Sequence, residues 1–431
     1  MMLESSRWPM TSTLSSFVME HPVFDVHEHH LPEVYLNPDV GLLDLFKQSY
    51  AGWTQERPYP LPSEVKLEAP MVVSGKTVEW AMLRPFLEHS GSNSFVRNLL
   101  RGLSDLYDLG PEGLHEGNWK KVDEQVRERH RSPQWPSEVL NRARIQKVIT
   151  DPYTDPLLNG RSAFGENYRS VMRINGFAMS PHPDTCDHNG QSGFRLADRL
   201  GFSCDSFDDY CAFLEHTVDT MPARGQVGLK NALAYDRDIC FQAPDEMKAR
   251  RAWRNPQASE EDCVAFGDFV VDRFCRLAGE RDLPMQMHLG TALIGGSHPL
   301  KAVDLVERHP NTRFLLMHLA YPWSSDLLAM AFVHRNIWID LTWSFLLSPS
   351  HFKRAFHEAI EILPDESRMM LGGDNWHVEE TYATVQTARR LIAEVLEEKV
   401  RVGYFTSSDA ERLATKILYQ NARDFFQSEE G

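Results

Sequence analysis

Asp25-Val-His27-Glu-His29-His30 follows a short apolar run near the start of the chain. Residues two apart in an extended strand point the same way, so His27 and His29 can bring two imidazoles to one point. Neutral imidazole is a ready metal ligand. The motif is not H-E-x-x-H, because Leu31 stands four residues after His27, and a helical metalloprotease site is excluded. Four further apolar runs also end in ligand-type residues. Met285-Gln-Met ends in His288, Phe314-Leu-Leu-Met in His318, Met369-Met-Leu-Gly-Gly in Asp374, and Val227-Gly-Leu in Lys230. A lone histidine in such a place is usually a satisfied core or rim residue. Several strand ends of this kind require an architecture that gathers them.

The runs near Phe24–His27, Ile145–Thr150, Ser170–Ile174, Gly225–Lys230, Pro284–His288, Arg313–His318, Asn336–Leu341 and Arg368–Leu371 are nearly continuous in apolar residues. Parallel strands buried on both faces read this way. Helical patterns separate most of them, as in βα units. Cys263–Ala278 is predicted to stop at Gly279, Leu300–Glu307 to open at Pro299, and the last helix to start in a Ser408/Glu411 capping box and run towards Phe425. Eight strands predict a (β/α)₈ TIM barrel, whose C-terminal strand ends share one mouth. A minimal barrel takes ~250 residues. Residues 31–144 are therefore read as a mostly helical insertion after the first strand, within a single domain spanning 1–431. It contains a Pro-rich loop at Arg57–Pro62 and a charged run at Lys120–Arg131, read as a solvated helix face.

Composition narrows the function. The 431 residues carry 45 Lys and Arg against 61 Asp and Glu, a net charge of −16 that disfavours nucleic acid and anionic membranes. No apolar stretch is long enough for a membrane span. The start has no export-signal pattern, and the six cysteines form no C-x-x-C pair, so a cytoplasmic location with reduced core thiols is expected. A small-molecule substrate is the expected partner, with homo-oligomerisation left open.

The set of spaced motifs resembles the amidohydrolase superfamily. His27 and His29 resemble its first-strand H-x-H, His288 and His318 its fifth- and sixth-strand histidines, and Asp374 its eighth-strand aspartate. Gly228-Leu-Lys-Asn-Ala-Leu-Ala-Tyr235, His318-Leu-Ala-Tyr-Pro322 and Gly373-Asp-Asn-Trp-His-Val-Glu-Glu380 are similar to amidohydrolase-type domains fused ahead of glutamine synthetase-like domains. The insertion and Ile149-Thr-Asp-Pro-Tyr-Thr-Asp155 resemble uronate isomerases instead. The eighth strand departs from that pattern, since Asp374-Asn-Trp lacks the expected serine and arginine.

The resemblance implies a divalent ion, Zn²⁺ first with Mn²⁺ or Fe²⁺ as alternatives, in one or two positions. His27, His29 and His288 would be its core ligands. Asp374 would bind it and shuttle a proton from attacking water to the leaving group. His318 would ligate a second ion or polarise the scissile carbonyl. Lys230 is either a carboxylated bridge between two ions or a cation for a substrate carboxylate. Arg173 is a candidate carboxylate clamp, His298 a loop residue in reach of the mouth, and Trp376, with His377, a pocket wall. Asp151 and Asp155 read as loop caps, and His21, His30, His182 and His188 as bystanders. The expected activity is hydrolysis of a C–N or related bond in a small carboxylate-bearing molecule. The alternatives are uronate isomerisation, metal-dependent decarboxylation and a catalytically silent binding barrel.

Overall fold

A computed structural model of the chain describes residues 12–32, 37–55 and 79–426. Eight parallel strands follow one another in chain order: β1 (Val23–Glu28), β2 (Ile145–Thr150), β3 (Tyr168–Arg173), β4 (Gln226–Asn231), β5 (Met285–Met287), β6 (Phe314–Leu316), β7 (Ile337–Asp340) and β8 (Met369–Met370). In register, Val23 lies opposite Ile145, Leu229 opposite Met285, and Ile339 opposite Met369. Backbone hydrogen bonds join the first strand to the last: Val26 N donates to Leu371 O (3.1 Å), while Gly373 N and Asp374 N donate to His27 O (3.2 and 2.7 Å). The chain forms the expected (β/α)₈ barrel. Gly372 permits this closure, since a Cβ there would sit 2.6 Å from Thr342 Oγ1 and 2.7 Å from His27 N.

Phe24, Val26, Ile149, Val171, Leu315 and Met370 fill the barrel with Phe425 and Phe426 from the end of the described chain. Phe24, at the start of β1, stacks on Phe426 with centroids 6.2 Å apart. The other end of β1 is thereby left to carry chemistry.

The helices used below are α1 (Thr13–Glu20), then α2 (Leu42–Lys47), α3 (Trp80–Glu88), α4 (Ser94–Leu106), α5 (Trp119–His130) and α6 (Trp135–Arg142) between β1 and β2, and α7 (Glu260–Glu280), α8 (Ser324–Val333), α9 (Pro349–Ile362), α10 (Val378–Arg401) and α11 (Ser407–Thr415) further on. Buried Val96, Leu99, Leu103 and Leu106 recur at three- and four-residue steps on α4, the spacing of one helix face. The charged run falls on α5, which buries Val122, Val126 and His130 and turns its charges outward. The Pro-rich loop lies outside the described residues.

Three local expectations need correction. Gly279 does not stop α7, which runs to Glu280. The glycine serves close packing, because a Cβ there would lie 3.0 Å from Thr312 Oγ1. Leu300–Glu307 divides into a 3₁₀ turn, Pro299–Ala302, and a short α-helix, Val303–Arg308. The C-terminal capping box is Thr406 with Asp409, two residues earlier than Ser408 with Glu411. From there the chain passes through a π-turn, Lys416–Gln420, into a short last described helix, Asn421–Phe425. All six cysteines are free, but only Cys204 and Cys275 are buried in the core, Cys186, Cys211 and Cys263 being half-buried and Cys240 exposed. Among the described residues no helix is long and apolar enough to cross a membrane.

Candidate metal centre

The two β1 histidines are fixed from behind. His27 Nδ1 meets Gln286 Oε1 at 2.9 Å, and Gln286 Nε2 donates to Val26 O, which sets the amide so that its oxygen accepts from the ring. His29 Nδ1 lies 3.1 Å from Asp151 O. With the ring protons held at Nδ1, both Nε2 atoms carry lone pairs. Both face Asp374 Oδ1, at 3.2 Å from His27 and 3.0 Å from His29. His27 Nε2 and Asp374 Oδ1 are buried without a hydrogen-bond partner. Two lone pairs set against a carboxylate oxygen are a donor set for a cation, and they fit a divalent ion.

Electrostatics keeps His27 and Asp374 in their ligand forms. Burial first, and then the charge of Lys230, push the His27 imidazole down to about 4. Burial would raise Asp374, but the two histidines that face it, His29 first, outweigh it and hold the carboxylate well below its usual range. Asp374 also adopts a left-handed backbone, φ 73°, at the tip of the β8 turn, where a short polar side chain tolerates that conformation best. Its second oxygen accepts a 2.6 Å hydrogen bond from Tyr50 Oη.

His288 and His318 are arranged differently. His318 Nε2 lies 2.9 Å from His288 Nδ1, while His318 Nδ1 is 3.2 Å from Thr342 O and His288 Nε2 is 3.2 Å from Thr291 O. Burial lowers both rings, His318 to about 3 and His288 well below its ordinary value. His318 opens a turn in which it, Leu319 and Ala320 all have positive φ, at 65°, 47° and 44°. Side chains rarely adopt this conformation, and strain of this kind gathers at functional sites. Ser324 Oγ donates to Leu319 O at 2.7 Å and meets His351 Nε2 at the same distance, bracing the turn.

Lys230 is fully buried among Asp151, Arg173, Asp374 and Asp340. Burial brings its amine down to about 8, while the three carboxylates oppose the shift. Arg173 grips Asp151: its Nε lies 3.1 and 3.2 Å from the two carboxylate oxygens, and Nη2 closes the fork. Burial would raise Asp151, but Arg173 and His29 hold it well below the carboxylate range. Trp376 stacks on His29 at 5.8 Å and donates from Nε1 to Tyr153 Oη. His298 caps the turn before Leu300 and pairs with Asp326 at 3.3 Å. His377 sets its Nδ1 3.2 Å from Glu379 and its Nε2 3.0 Å from Leu45 O. His30 bonds Tyr168 and Thr381, His182 accepts within its own loop from Asp184 N, and His188 pairs with Asp236.

One reading of a loop residue is overturned. Asp155 does cap, accepting from Leu157 N, and also bonds Arg199. Asp151 is different, because its ligand atom lies with those of His27 and His29 within 4.8 Å of one another. The strand carries its side chain into the mouth before the turn at Pro152 begins.

Four residues were missed. Gln286 orients His27, and it could have been suspected from its place two residues before His288. Asp340, on β7, is buried and raised by that burial to about 7, with Oδ2 unpartnered. Tyr50 comes from the segment between β1 and β2 and gives no local signal. Glu379, near the start of α10, accepts on Oε1 from Tyr107 (2.7 Å), His130 (2.9 Å) and Trp135 (2.9 Å), tying the C-cap of α4, and α5 and α6, to the helix that follows Asp374.

A sequence model of a family described as Amidohydrolase matches residues 242–427. The resemblance to amidohydrolases holds. The matched stretch carries His288, His318 and Asp374, with β5 to β8. Protein fluG of Emericella nidulans is 22% identical over 227 residues, 47% of this chain and 26% of the relative, so the chain spans about a quarter of that protein's length. Among solved structures, glucuronate isomerase from Caulobacter crescentus is similar with a TM-score of 0.76 at 15% identity, over 100% of this chain and 98% of its own. Uronate isomerase from Thermotoga maritima gives 0.75 at 15% identity, over 99% and 100%. At such identities these two likenesses establish the fold alone.

Proposed function

We propose that this protein is a metal-dependent hydrolase of a C–N or related bond in a small, carboxylate-bearing molecule. The observation that carries the reading is the convergence of His27 Nε2 and His29 Nε2 on Asp374 Oδ1 in a buried mouth. His27, His29 and Asp374 would hold the ion, with His288 and Lys230 extending the donor set to one or two positions; Zn²⁺ suits it, and Mn²⁺ or Fe²⁺ are alternatives. When bound, the ion polarises a carbonyl and makes water acidic enough to attack at neutral pH.

The chain's own groups do the rest. Asp374, ionised, takes the proton of the attacking water on Oδ1 and returns it to the leaving group. Tyr50 holds Oδ2, so the carboxylate keeps one orientation throughout. His318 faces the developing charge on the carbonyl oxygen. Lys230 supplies positive charge for a substrate carboxylate, a task for which Arg173 is less free because Asp151 already occupies its fork. Trp376 closes the wall beside His29 and helps exclude bulk water.

Uronate isomerisation is the second reading. It is favoured by full-length similarity to two isomerases, which extends through the segment between β1 and β2. It is disfavoured by the missing serine and arginine after Asp374. Turnover in ¹⁸O-water of a panel of N-acyl amino acids and hexuronates separates them, with exchange into existing carbonyls controlled. Label in a newly formed carboxylate is the expected result. An aldose–ketose product without a hydrolytic fragment would overturn the hydrolase and promote the isomerase.

A further inference from the structure

Arg389, on α10, buries its whole side chain at the end of the barrel where the strands begin. Its Nη2 donates to the carbonyl of His21, the C-cap of α1, two residues before β1. Val23 N donates to Arg144 O at 2.9 Å, which brings the residue just before β2 to the same corner. The metal centre lies at the other end of these strands, so neither arginine belongs to it.

The corner is short of negative charge. Arg389 Nε and Nη1 are buried without a hydrogen-bond partner. Among the described residues no carboxylate pairs with this guanidinium, and the charge that acts on it most is a second cation, Arg144. Burial first, and then Arg144, bring Arg389 down to about 9, which leaves it charged at neutral pH. Tyr382 acts the other way, but its hydroxyl is committed to Asp105. Buried charges in folded proteins are paired or coordinated, because their desolvation is otherwise uncompensated. Two adjacent cations call for an anion.

We infer that this corner binds a monatomic anion, chloride, on the open N–H groups of Arg389, with Arg144 adding its charge from the solvent side. The two donors are shut off from solvent, which suits a bare ion better than a tetrahedral oxyanion or a carboxylate. Arg144 is exposed and marks the side of approach. Bound there, the ion compensates the buried guanidinium and steadies the contact of α10 with the end of α1 and the start of β2. The inference does not depend on which reaction the mouth performs.

Thermal melts of the full chain, exchanged into gluconate and titrated with chloride at constant ionic strength, test it. The expected result is a saturable rise in melting temperature of at least ~2 °C. The rise should vanish in Arg389→Met, which keeps the length of the side chain without its charge. In Arg144→Gln, a change at an exposed position, half-saturation should need at least ~3-fold more chloride. Circular dichroism checks that each variant is folded, and should Arg389→Met fail to fold, Arg144→Gln decides. Equal melts of the wild type in chloride and gluconate, or a chloride response unchanged in either folded variant, would overturn the proposal. Sulfate acting more strongly than chloride would overturn it as well, since the donors would then face a tetrahedral ion.

Discussion

The histidines at β1 and those following β5 and β6 are the same residue type and line the same mouth, yet their ring protons are spent differently. Two neutral imidazoles carry two N–H groups. At β1 these two protons meet two fixed acceptors, Gln286 Oε1 and Asp151 O, which leaves two lone pairs aimed at Asp374. His288 and His318 make three contacts that each need a proton, to Thr291 O, to Thr342 O and to each other. A neutral pair is one proton short. The first arrangement is organised for a cation by its acceptors. The second takes a proton or a cation to resolve its own deficit, and burial makes the proton costly.

The largest effect expected from this difference is on metal affinity. His27→Ala should weaken binding of Zn²⁺ by more than ~10²-fold, beyond the 10- to 100-fold scale of outer partners, whereas His288→Ala should stay within that scale. Metal content after dialysis against graded chelator, with circular dichroism on the same samples, measures both. Equal losses would erase the distinction between the two pairs. Next comes Asp374→Asn, which should keep the fold and lower kcat by at least ~10², the scale of a lost acid–base group. Full activity in that variant would remove Asp374 from the chemistry.

Acid should act on both pairs. His27 is neutral in the fold down to about 4 and His318 down to about 3, while in the unfolded chain each protonates near 6.5. The unfolded state therefore binds protons first, and stability falls as pH drops below ~6.5, levelling once both folded-state values are passed. The melting temperature of metal-free protein should fall between pH 6.5 and 4, and saturating Zn²⁺ should lessen the fall near pH 6. A flat profile would mean that these rings are not buried neutral. The smallest effect is expected from Ser324→Ala, which removes one brace of the His318 turn at about 1 kcal/mol. Denaturant melts should register that loss with metal affinity unchanged, because the β1 pair does not rest on this turn.

Much of this is legible in the sequence. Strands buried on both faces announce themselves as apolar runs, and in a barrel their ends must converge, so His27, His29, His288, His318 and Asp374 could be placed at one mouth from spacing alone. What stayed hidden was mutual orientation. Nothing local distinguishes a histidine whose Nε2 is free from one bonded to its neighbour. Asp151 was mistaken for a cap because proline follows it, and the turn masked the strand position that aims it inward. Tyr50 reaches Asp374 across 324 positions of sequence, and Glu379 gathers partners from two helices and the C-cap of a third; long-range contacts of this kind leave no periodicity to read.

The separation of β1 from β2 also bears on how the barrel assembles. From Glu28 to Ile145 is 117 positions, against 27 from Met287 to Phe314. Closing the longer loop costs about 1.3 kcal/mol more in chain entropy. During synthesis Val23, Phe24 and Val26 emerge long before the strand they pair with exists, and their apolar faces stay uncovered for that interval. Among the eight strands the first thus waits longest for the next in order, and its early exposure gives a chaperone reason to shield it.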